Sequence, residues 1–239
     1  MSLFDRIMAA ADVKRVMVSP EKALPGRAEA LPIPAVHAVL GHPLRGAADD
    51  DGTFAHGGVG RWPAPLHTIV LAGGCFWGVE EIFWQVPGVY TTAVGYVGGY
   101  TPNPTYEEVC TAQTGHTEAT LVVFDPAQVS VEDLLALFFT IHDPTQEMRQ
   151  GNDVGTQYRS AIYTSTVADA EAAAAAAQRF APVLAAAGFG PVTTEIGELR
   201  VVGDGHFYYA EPVHQQYLHH NPHGYRCHAS TGLTFPTAG

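Results

Sequence analysis

The sequence predicts an α+β protein: a ferredoxin-like split βαβ sandwich, with helices on one face of a largely antiparallel sheet. Two observations support this fold class. From residue 67 onward, apolar or alternating segments and helical segments follow one another in the order strand, helix, strand, strand, helix, strand. Turn residues such as Pro87-Gly88 and Asp125-Pro126 separate these segments and give each strand a defined end.

The first strand and helix form the centre of this pattern. Residues 69–72 are an apolar run within a strand predicted at 68–72. Phe76, Val79, Phe83 and Val86 then recur at the spacing of one helix face. The other strands are predicted at 89–97, 116–124, 157–164 and 192–196. The other helices are predicted at 105–110, 130–141, 167–187 and 208–219.

The segment before residue 67 differs in composition from the rest of the chain. Prolines recur through it, and Asp49-Asp50-Asp51-Gly52 is a solvated turn, which excludes long helices or strands. We therefore predict an irregular extension at residues 1–66 that wraps a catalytic domain at 67–239, whose end is an irregular tail. A short helix is predicted at residues 2–11.

Charge and cysteine content exclude several classes of function. The 239 residues include 12 basic and 24 acidic side chains, and the net charge of −12 argues against nucleic acid or an anionic membrane as a partner. No apolar run is long enough to span a bilayer, and the N-terminus does not resemble a signal peptide, so a cytoplasmic location is predicted. Three cysteines favour reactive thiols over a disulfide scaffold.

Cys75 is the first candidate for chemistry. It lies in Gly-Gly-Cys-Phe-Trp-Gly (73–78), between the first strand and the first helix. A helix N-terminus stabilises a thiolate, so a lowered pKa is predicted for the Cys75 thiol. Phe76 and Trp77 add apolar surface, which favours a nucleophile at the floor of a pocket. The alternative is a buried cysteine in a glycine-rich turn.

Glu118 is the second candidate. It alternates with Val122 and Phe124 on one face of the strand at 116–124, which favours burial of its side chain. Burial raises the pKa of a carboxyl group, so Glu118 could stay protonated and act as a general acid. The alternative is a solvated carboxylate on an outward face.

Further candidates lie in a loop and in the tail. The loop 150–160 can hold Asp153 and Tyr158 toward a pocket, although turn formation alone also explains its Asn and Asp residues. Cys227 follows a glycine in the tail and can meet an oxidised thiol, or it has no role. Cys110 is predicted to be a small buried side chain of low reactivity.

Four motifs, in this order, resemble the A-type peptide methionine sulfoxide reductases, the enzymes that act on the S epimer of the sulfoxide. The motifs are Gly-Cys-Phe-Trp-Gly at 74–78, Gly-His-Thr-Glu-Ala at 115–119, the loop 150–160 and His-Gln-Gln-Tyr-Leu at 214–218. The resemblance covers residues 67–227 and does not extend to the N-terminal extension.

This resemblance implies a role for each residue of the first two motifs. Cys75 is implied to be the nucleophile, and Phe76 and Trp77 to hold the methyl group of the substrate. Glu118 is implied to donate a proton to the sulfoxide oxygen.

The remaining implied roles concern hydroxyl groups and recycling. Tyr106 and Tyr158 match the family's two hydroxyl donors to the sulfoxide oxygen, and Asp153 matches an aspartate that helps to order the site. Cys227 is the cysteine placed to resolve the oxidised nucleophile.

The implied activity is reduction of the S epimer of methionine sulfoxide, in proteins and as the free amino acid, through a cysteine sulfenic acid and an intramolecular disulfide. No bound cofactor is implied, thioredoxin or a similar dithiol is the implied reductant, and a monomer is expected. Two alternatives remain: a cysteine hydrolase that uses Cys75 with a histidine and Asp153, and a metal-binding module formed by the histidine-rich tail.

Overall fold

The computed structural model describes residues 13–227 and 229–236. The helix predicted at 2–11 lies outside these ranges. The described helices are α1 (Phe76–Phe83), α2 (Tyr106–Cys110), α3 (Val131–Ile141), α4 (Val167–Ala186) and α5 (Tyr217–His220). The described strands are β1 (His67–Gly73), β2 (Val89–Val97), β3 (Thr117–Phe124), β4 (Arg149–Gln150), β5 (Asp153–Val154), β6 (Ser160–Thr164), β7 (Glu195–Glu198) and β8 (Phe207–Tyr209).

Six of these strands form one sheet in the order β7-β6-β1-β3-β2-β8. Its strand pairs are antiparallel except β6 with β7. Leu71 on the central strand β1 lies opposite Thr120 of β3 on one side and Ile162 of β6 on the other. Strands β4 and β5 form a separate two-stranded hairpin. The predicted α+β class with a largely antiparallel sheet is confirmed.

The two faces of the sheet are covered by different parts of the chain. On one face, Leu71 and Val122 pack with apolar side chains of α1, α3 and α4. On the other face, Leu121 packs with Leu44 and Val59 of the N-terminal segment, and both of these side chains are buried. Burying each contributes about 1.5–3 kcal/mol relative to an exposed position. The N-terminal segment therefore supplies part of the hydrophobic core.

The prediction of a helix at 208–219 is wrong. Residues Phe207–Tyr209 form β8, which pairs with the edge of β2, and helix α5 spans only Tyr217–His220. Pro212 lies between them and has no backbone N–H for a helical hydrogen bond. The strand predicted at 157–164 begins only at Ser160, because Thr156–Tyr158 forms a 3-10 turn.

Within residues 13–227 and 229–236, no helix is long and apolar enough to cross a membrane.

Candidate active site

Cys75 lies at the junction of β1 and α1, where the chain turns from strand to helix. It is the N-cap residue of α1. The preceding Gly74 has φ +94°, a left-handed conformation that favours glycine, and a Cβ there would lie 2.7 Å from the side chain of Gln150. Glycine at position 74 therefore lets the loop around Gln150 pack closely against the nucleophile turn.

The Cys75 thiol is buried, with 7 % of the residue exposed. Burial raises the pKa of the Cys75 thiol, and the charge of Glu118 raises it further. The backbone N–H of Trp77 lowers it, but by less. The prediction of a lowered pKa is therefore wrong for the free enzyme, because loss of hydration outweighs the effect of the helix N-terminus. The resting thiol is protonated.

Glu118 lies on β3 with 1 % of the residue exposed, as the alternation of the strand predicts. Its Oε2 accepts a hydrogen bond of 3.1 Å from the backbone N–H of Phe76, the residue after Cys75. Burial raises the pKa of Glu118 to about 8, although the Phe76 N–H acts in the opposite direction. At neutral pH the carboxyl group is mostly protonated and lies at the same helix terminus as the thiol.

Two tyrosines lie near the Glu118 carboxyl group. For both Tyr106 and Tyr158, burial raises the pKa of the phenol, and the charge of Glu118 is the next cause. Both phenols therefore keep their protons and remain hydrogen-bond donors. Tyr106 begins α2, and its backbone N–H donates to Glu211 at 2.7 Å. Tyr158 ends the 3-10 turn before β6.

An aromatic wall extends from the start of α1 to the segment before α5. Trp77 stacks on Tyr217 with ring centroids 3.9 Å apart, and its indole N–H donates to His214 Nδ1 at 3.3 Å. His214 also contacts Phe76 and Tyr106. Sequence analysis did not assign His214 or Tyr217 to the site, although both lie in the fourth family motif, which was the available signal.

The second candidate thiol faces the first across a small cavity. Cys75 and Cys227 both line a cavity of about 90 Å³ next to α1. Both cysteines, like Cys110, are free thiols. Arg226 forms two hydrogen bonds of 2.6 Å with the carboxylate of Glu81 on α1. This bidentate ion pair holds the tail segment that carries Cys227 against the helix of the nucleophile.

Asp153 lies on the same side of the site as the tail. Its Oδ2 accepts a 3.1 Å hydrogen bond from the hydroxyl of Tyr225, two residues before Cys227. The charge of Asp153 contributes to the raised pKa of Cys75, after burial and Glu118. The structure thus places Asp153 near both thiols, and its charge also contributes to the raised pKa values of Glu118 and Tyr158.

Cys110 lies at the end of α2 and is half-buried rather than fully buried as predicted. Burial and then the charge of Glu118 raise the pKa of its thiol, while a hydrogen bond with Tyr106 lowers it.

The two alternative functions lack their required geometry in the described residues. No histidine described in the structure hydrogen-bonds Cys75; the buried His142 instead contacts Ser160 Oγ at 2.8 Å and the carbonyl of Phe138. In the same ranges, no group of three or more His, Cys, Asp or Glu side chains could hold a metal ion.

Two free thiols on one cavity beside a protonated carboxylic acid define a thiol-based oxidoreductase. Comparisons with known proteins agree. Residues 67–235 match the family model described as peptide methionine sulfoxide reductase. The peptide methionine sulfoxide reductase MsrA of Azotobacter vinelandii is 54 % identical over 219 residues, covering 92 % of this chain and 93 % of that protein. The enzyme of the same description from Rhodospirillum centenum is 56 % identical, covering 90 % of this chain and 89 % of that protein.

The solved structures agree as well. Methionine sulfoxide reductase A of Corynebacterium diphtheriae superimposes with a TM-score of 0.79 at 46 % identity, covering 93 % of this chain and 100 % of that chain. The chain therefore belongs to the peptide methionine sulfoxide reductase family. It is an oxidoreductase that reduces methionine sulfoxide.

Proposed function

We propose that the enzyme reduces the S epimer of methionine sulfoxide, in proteins and as the free amino acid, through a sulfenic acid on Cys75. One observation carries this proposal: Glu118 is buried, its pKa is raised to about 8, and it accepts a hydrogen bond from the N–H that directly follows Cys75. A protonated carboxyl group at the same helix terminus as Cys75 supports the proposal that Glu118 supplies the proton to the departing oxygen. The motif at 74–78 and the family membership support the choice of substrate.

In the first step, Cys75 sulfur attacks the sulfoxide sulfur. Glu118 gives its proton to the sulfoxide oxygen and takes the proton of the thiol, so the carboxyl group ends the step as it began. The protonated oxygen then moves from the substrate sulfur to the Cys75 sulfur, as the S–O bond of the substrate and the S–S bond formed by the attack both break. Methionine sulfoxide and a thiol become methionine and a sulfenic acid, so two electrons pass from the cysteine to the substrate.

The surrounding side chains suit this reaction. Tyr106 and Tyr158 keep their protons and can donate hydrogen bonds to the polarised oxygen. Phe76 and Trp77 offer apolar surface for the methyl group and exclude water. Asp153, bound to Tyr225, orders the side of the site from which the tail approaches.

The sulfenic acid is then removed by the second thiol. Cys227 sulfur attacks Cys75 sulfur, a disulfide forms and water leaves. A dithiol of the thioredoxin class reduces this disulfide by thiol exchange and becomes oxidised itself. The shared cavity and the ion pair between Arg226 and Glu81 support the assignment of Cys227. No bound cofactor enters the proposed cycle, because the electrons come from thiols.

Several broader features belong to the same proposal. Residues 67–239 carry the catalytic residues, and the N-terminal extension folds with them, since Leu44 and Val59 belong to the core. The enzyme works as a monomer in the cytoplasm, where free thiols persist. Its partners are oxidised proteins, free methionine sulfoxide and thioredoxin.

The test is turnover of the two separated sulfoxide epimers with thioredoxin as the reductant. Only the S epimer should be reduced, Cys75→Ser should abolish the reaction, and Cys227→Ser should complete one turnover and then stop. Mass mapping should find a bond between residues 75 and 227 in the wild-type enzyme after one turnover. Cys110→Ser is the control and should cycle normally. Steady thioredoxin-dependent cycling by Cys227→Ser would remove Cys227 from the mechanism.

A further inference from the structure

A larger cavity, of about 240 Å³, lies between the N-terminal segment and the edge strand β8. Leu31 and Phe54 form part of its wall on one side, Pro104 and residues 206–209 on the other. It shares no lining residue with the cavity that contains the two thiols. It is therefore a separate site.

Arg45 is the permanently charged residue of this cavity, and no acidic side chain is among the lining residues. Its guanidinium carbon lies 4.5 Å from the ring centroid of Phe54 and 4.3 Å from that of Tyr209. The two aromatic rings cover the guanidinium group and fix its position.

The hydrogen-bonding capacity of Arg45 is largely unused. Its Nε is buried without a hydrogen-bond partner, and no ion pair to Arg45 occurs within residues 13–227 and 229–236. Arg45 lies near the hydroxyl of Tyr209 and partly offsets the rise that burial causes in the pKa of Tyr209. That hydroxyl donates its own proton to the carbonyl of Val59. A cation held in place without a counter-charge is a ready site for an anion.

Several other polar side chains of the cavity are already engaged, including His206, whose Nδ1 contacts the carbonyl of Asp204. The hydroxyl of Thr53 binds Asp51, the amide of Asn103 binds the carbonyl of Arg27, and the hydroxyl of Tyr208 binds Asp204 at the rim. Arg45 therefore remains as the permanent cation that can balance the charge of a ligand, which favours a ligand with a single negative charge. A doubly charged phosphate would need more donors and would meet the charge of Asp204. Aromatic walls favour a ligand with an apolar body.

We propose that this cavity binds an organic carboxylate, with its two oxygens on the guanidinium edge of Arg45 and its apolar part against the aromatic walls. The carboxylate comes either from a small free acid or from an acidic side chain of a polypeptide. The proposal does not depend on the assignment of Cys75 or Glu118.

Binding to the full-length enzyme is measured by calorimetry and by backbone NMR shifts, with three probes. Benzoate represents a free acid, acetyl-Ala-Glu-Ala-amide represents a polypeptide side chain, and acetyl-Ala-Gln-Ala-amide is the uncharged control. We expect saturable binding of a carboxylate probe, with shifts centred on Asn103, His206 and Tyr208, and none for the glutamine peptide. Binding of benzoate alone or of the glutamate peptide alone identifies the source of the carboxylate.

Arg45→Met keeps an apolar chain between the rings and should weaken carboxylate binding at least ~10-fold. Arg45→Lys keeps the charge but loses the planar fork, and should bind with intermediate strength. Arg200→Met removes an equal charge from an exposed position and should bind as the wild type does. Should Arg45→Met not fold, Arg45→Lys and the shift map still decide the question. Absence of saturable binding, equal binding of the glutamine peptide, or unchanged affinity in the Arg45 variants would overturn the proposal.

Discussion

Glu118 links proton delivery to the state of the nucleophile. Burial raises the pKa of its carboxyl group to about 8, and ionised Glu118 would in turn raise the pKa of the Cys75 thiol. In the proposed mechanism, protonated Glu118 therefore has two effects: it supplies a proton to the sulfoxide oxygen, and it removes a charge that opposes loss of the thiol proton. In the proposed relay, the reactive form of the free enzyme has both groups protonated.

The pH dependence of the first step tests this relay. The single-turnover rate with the S epimer should be constant below about pH 8 and fall above it, because Glu118 loses its proton there. Glu118→Gln should be about 10²–10⁴-fold slower at pH 7 and should not show that decrease. Quench-flow measurements from pH 6 to 10 give the single-turnover rates. A rate that rises up to pH 8 and then stays constant would instead show that the thiolate form of Cys75 reacts.

At the residue scale, the sequence predicts where side chains lie better than it predicts their ionisation states. The position of Cys75 at a helix N-terminus is a local property, visible in a few letters, and it predicts a lowered pKa. Burial depends on segments far along the chain, such as Gln150, whose side chain packs against Gly74. The pKa of Glu118 was predictable because alternation along one strand already indicates burial.

At the scale of secondary structure, α1 positions most of the site. Cys75 caps its N-terminus and Trp77 supplies the aromatic wall. The buried carboxyl of Glu80 accepts hydrogen bonds from the backbone and side-chain amides of Gln216, next to Tyr217. Glu81, one residue further, binds Arg226 beside Cys227. One helix thus fixes Cys75, the aromatic wall and the segment that carries Cys227 relative to one another.

The ion pair between Glu81 and Arg226 should matter for disulfide formation and not for the first step. Glu81→Gln removes the bidentate pair, so Cys227 spends less time near Cys75, and formation of the disulfide should slow about 3- to 10-fold. Trapping of the sulfenic acid after one turnover, analysed by mass spectrometry, measures this step.

Glu132→Gln on α3 is the matched control, since it removes the same charge from an exposed position. Sulfoxide reduction in the first turnover should be unchanged in both variants. If Glu81→Gln forms the disulfide as fast as Glu132→Gln, the ion pair has no role in positioning Cys227.

The segment 207–220 shows where prediction of elements fails. Its residues fit a helix by composition, but Phe207–Tyr209 instead complete the sheet at the free edge of β2. That edge is formed by residues more than a hundred positions earlier in the chain, so the local sequence pattern does not predict the strand pairing. By contrast, the capping box of Ser130 and Asp133 is local, and the predicted helix start is confirmed.

For the whole molecule, buried ionisable groups of two kinds determine how stability depends on pH. Burial raises the pKa of Glu118 to about 8 and of Glu80 to about 7, from ordinary values near 4.5. Burial lowers the pKa of His116 and of His142 to about 4, from ordinary values near 6.5. The carboxyl groups favour folding below pH 4.5 and lose this effect as the pH rises to 8. The neutral histidines favour folding above pH 6.5, and this stabilising effect is lost as the pH falls from 6.5 to 4.

Above about pH 7.5 the histidines are mostly neutral in the folded and the unfolded state, and of these groups only the carboxyls still titrate, so the free energy of unfolding should decrease between pH 7.5 and 9. Glu118→Gln should show a smaller decrease, because one of the two groups is gone. Urea unfolding at half-unit intervals of pH measures both slopes, and Glu132→Gln should retain the wild-type slope. A wild-type stability that is constant from pH 7.5 to 9 would contradict the assignment of a raised pKa to Glu118.

The N-terminal segment folds with the domain rather than merely covering it. Arg27 binds Glu108, which caps α2, and Leu44 and Val59 fill the face of the sheet opposite the helices. The sequence predicted an irregular extension that wraps the domain. It did not predict the contribution to the core, because a proline-rich segment without helices or strands has no periodic apolar pattern.

Leu44→Ala tests this directly. Leu44 has 0 % exposure, so its truncation leaves a cavity against the sheet and should lower the free energy of unfolding by about 2–5 kcal/mol in a single transition. Val39→Ala, in the same segment but 42 % exposed, should change the free energy of unfolding by less than about 0.5 kcal/mol.

Urea titrations followed by near-UV circular dichroism and by activity report on the core and on the site. If the segment were independent, Leu44→Ala would resemble Val39→Ala, or a separate early transition would appear while activity persisted. Coincident loss of both signals is expected, because the N-terminal segment packs against one face of the sheet that carries Glu118.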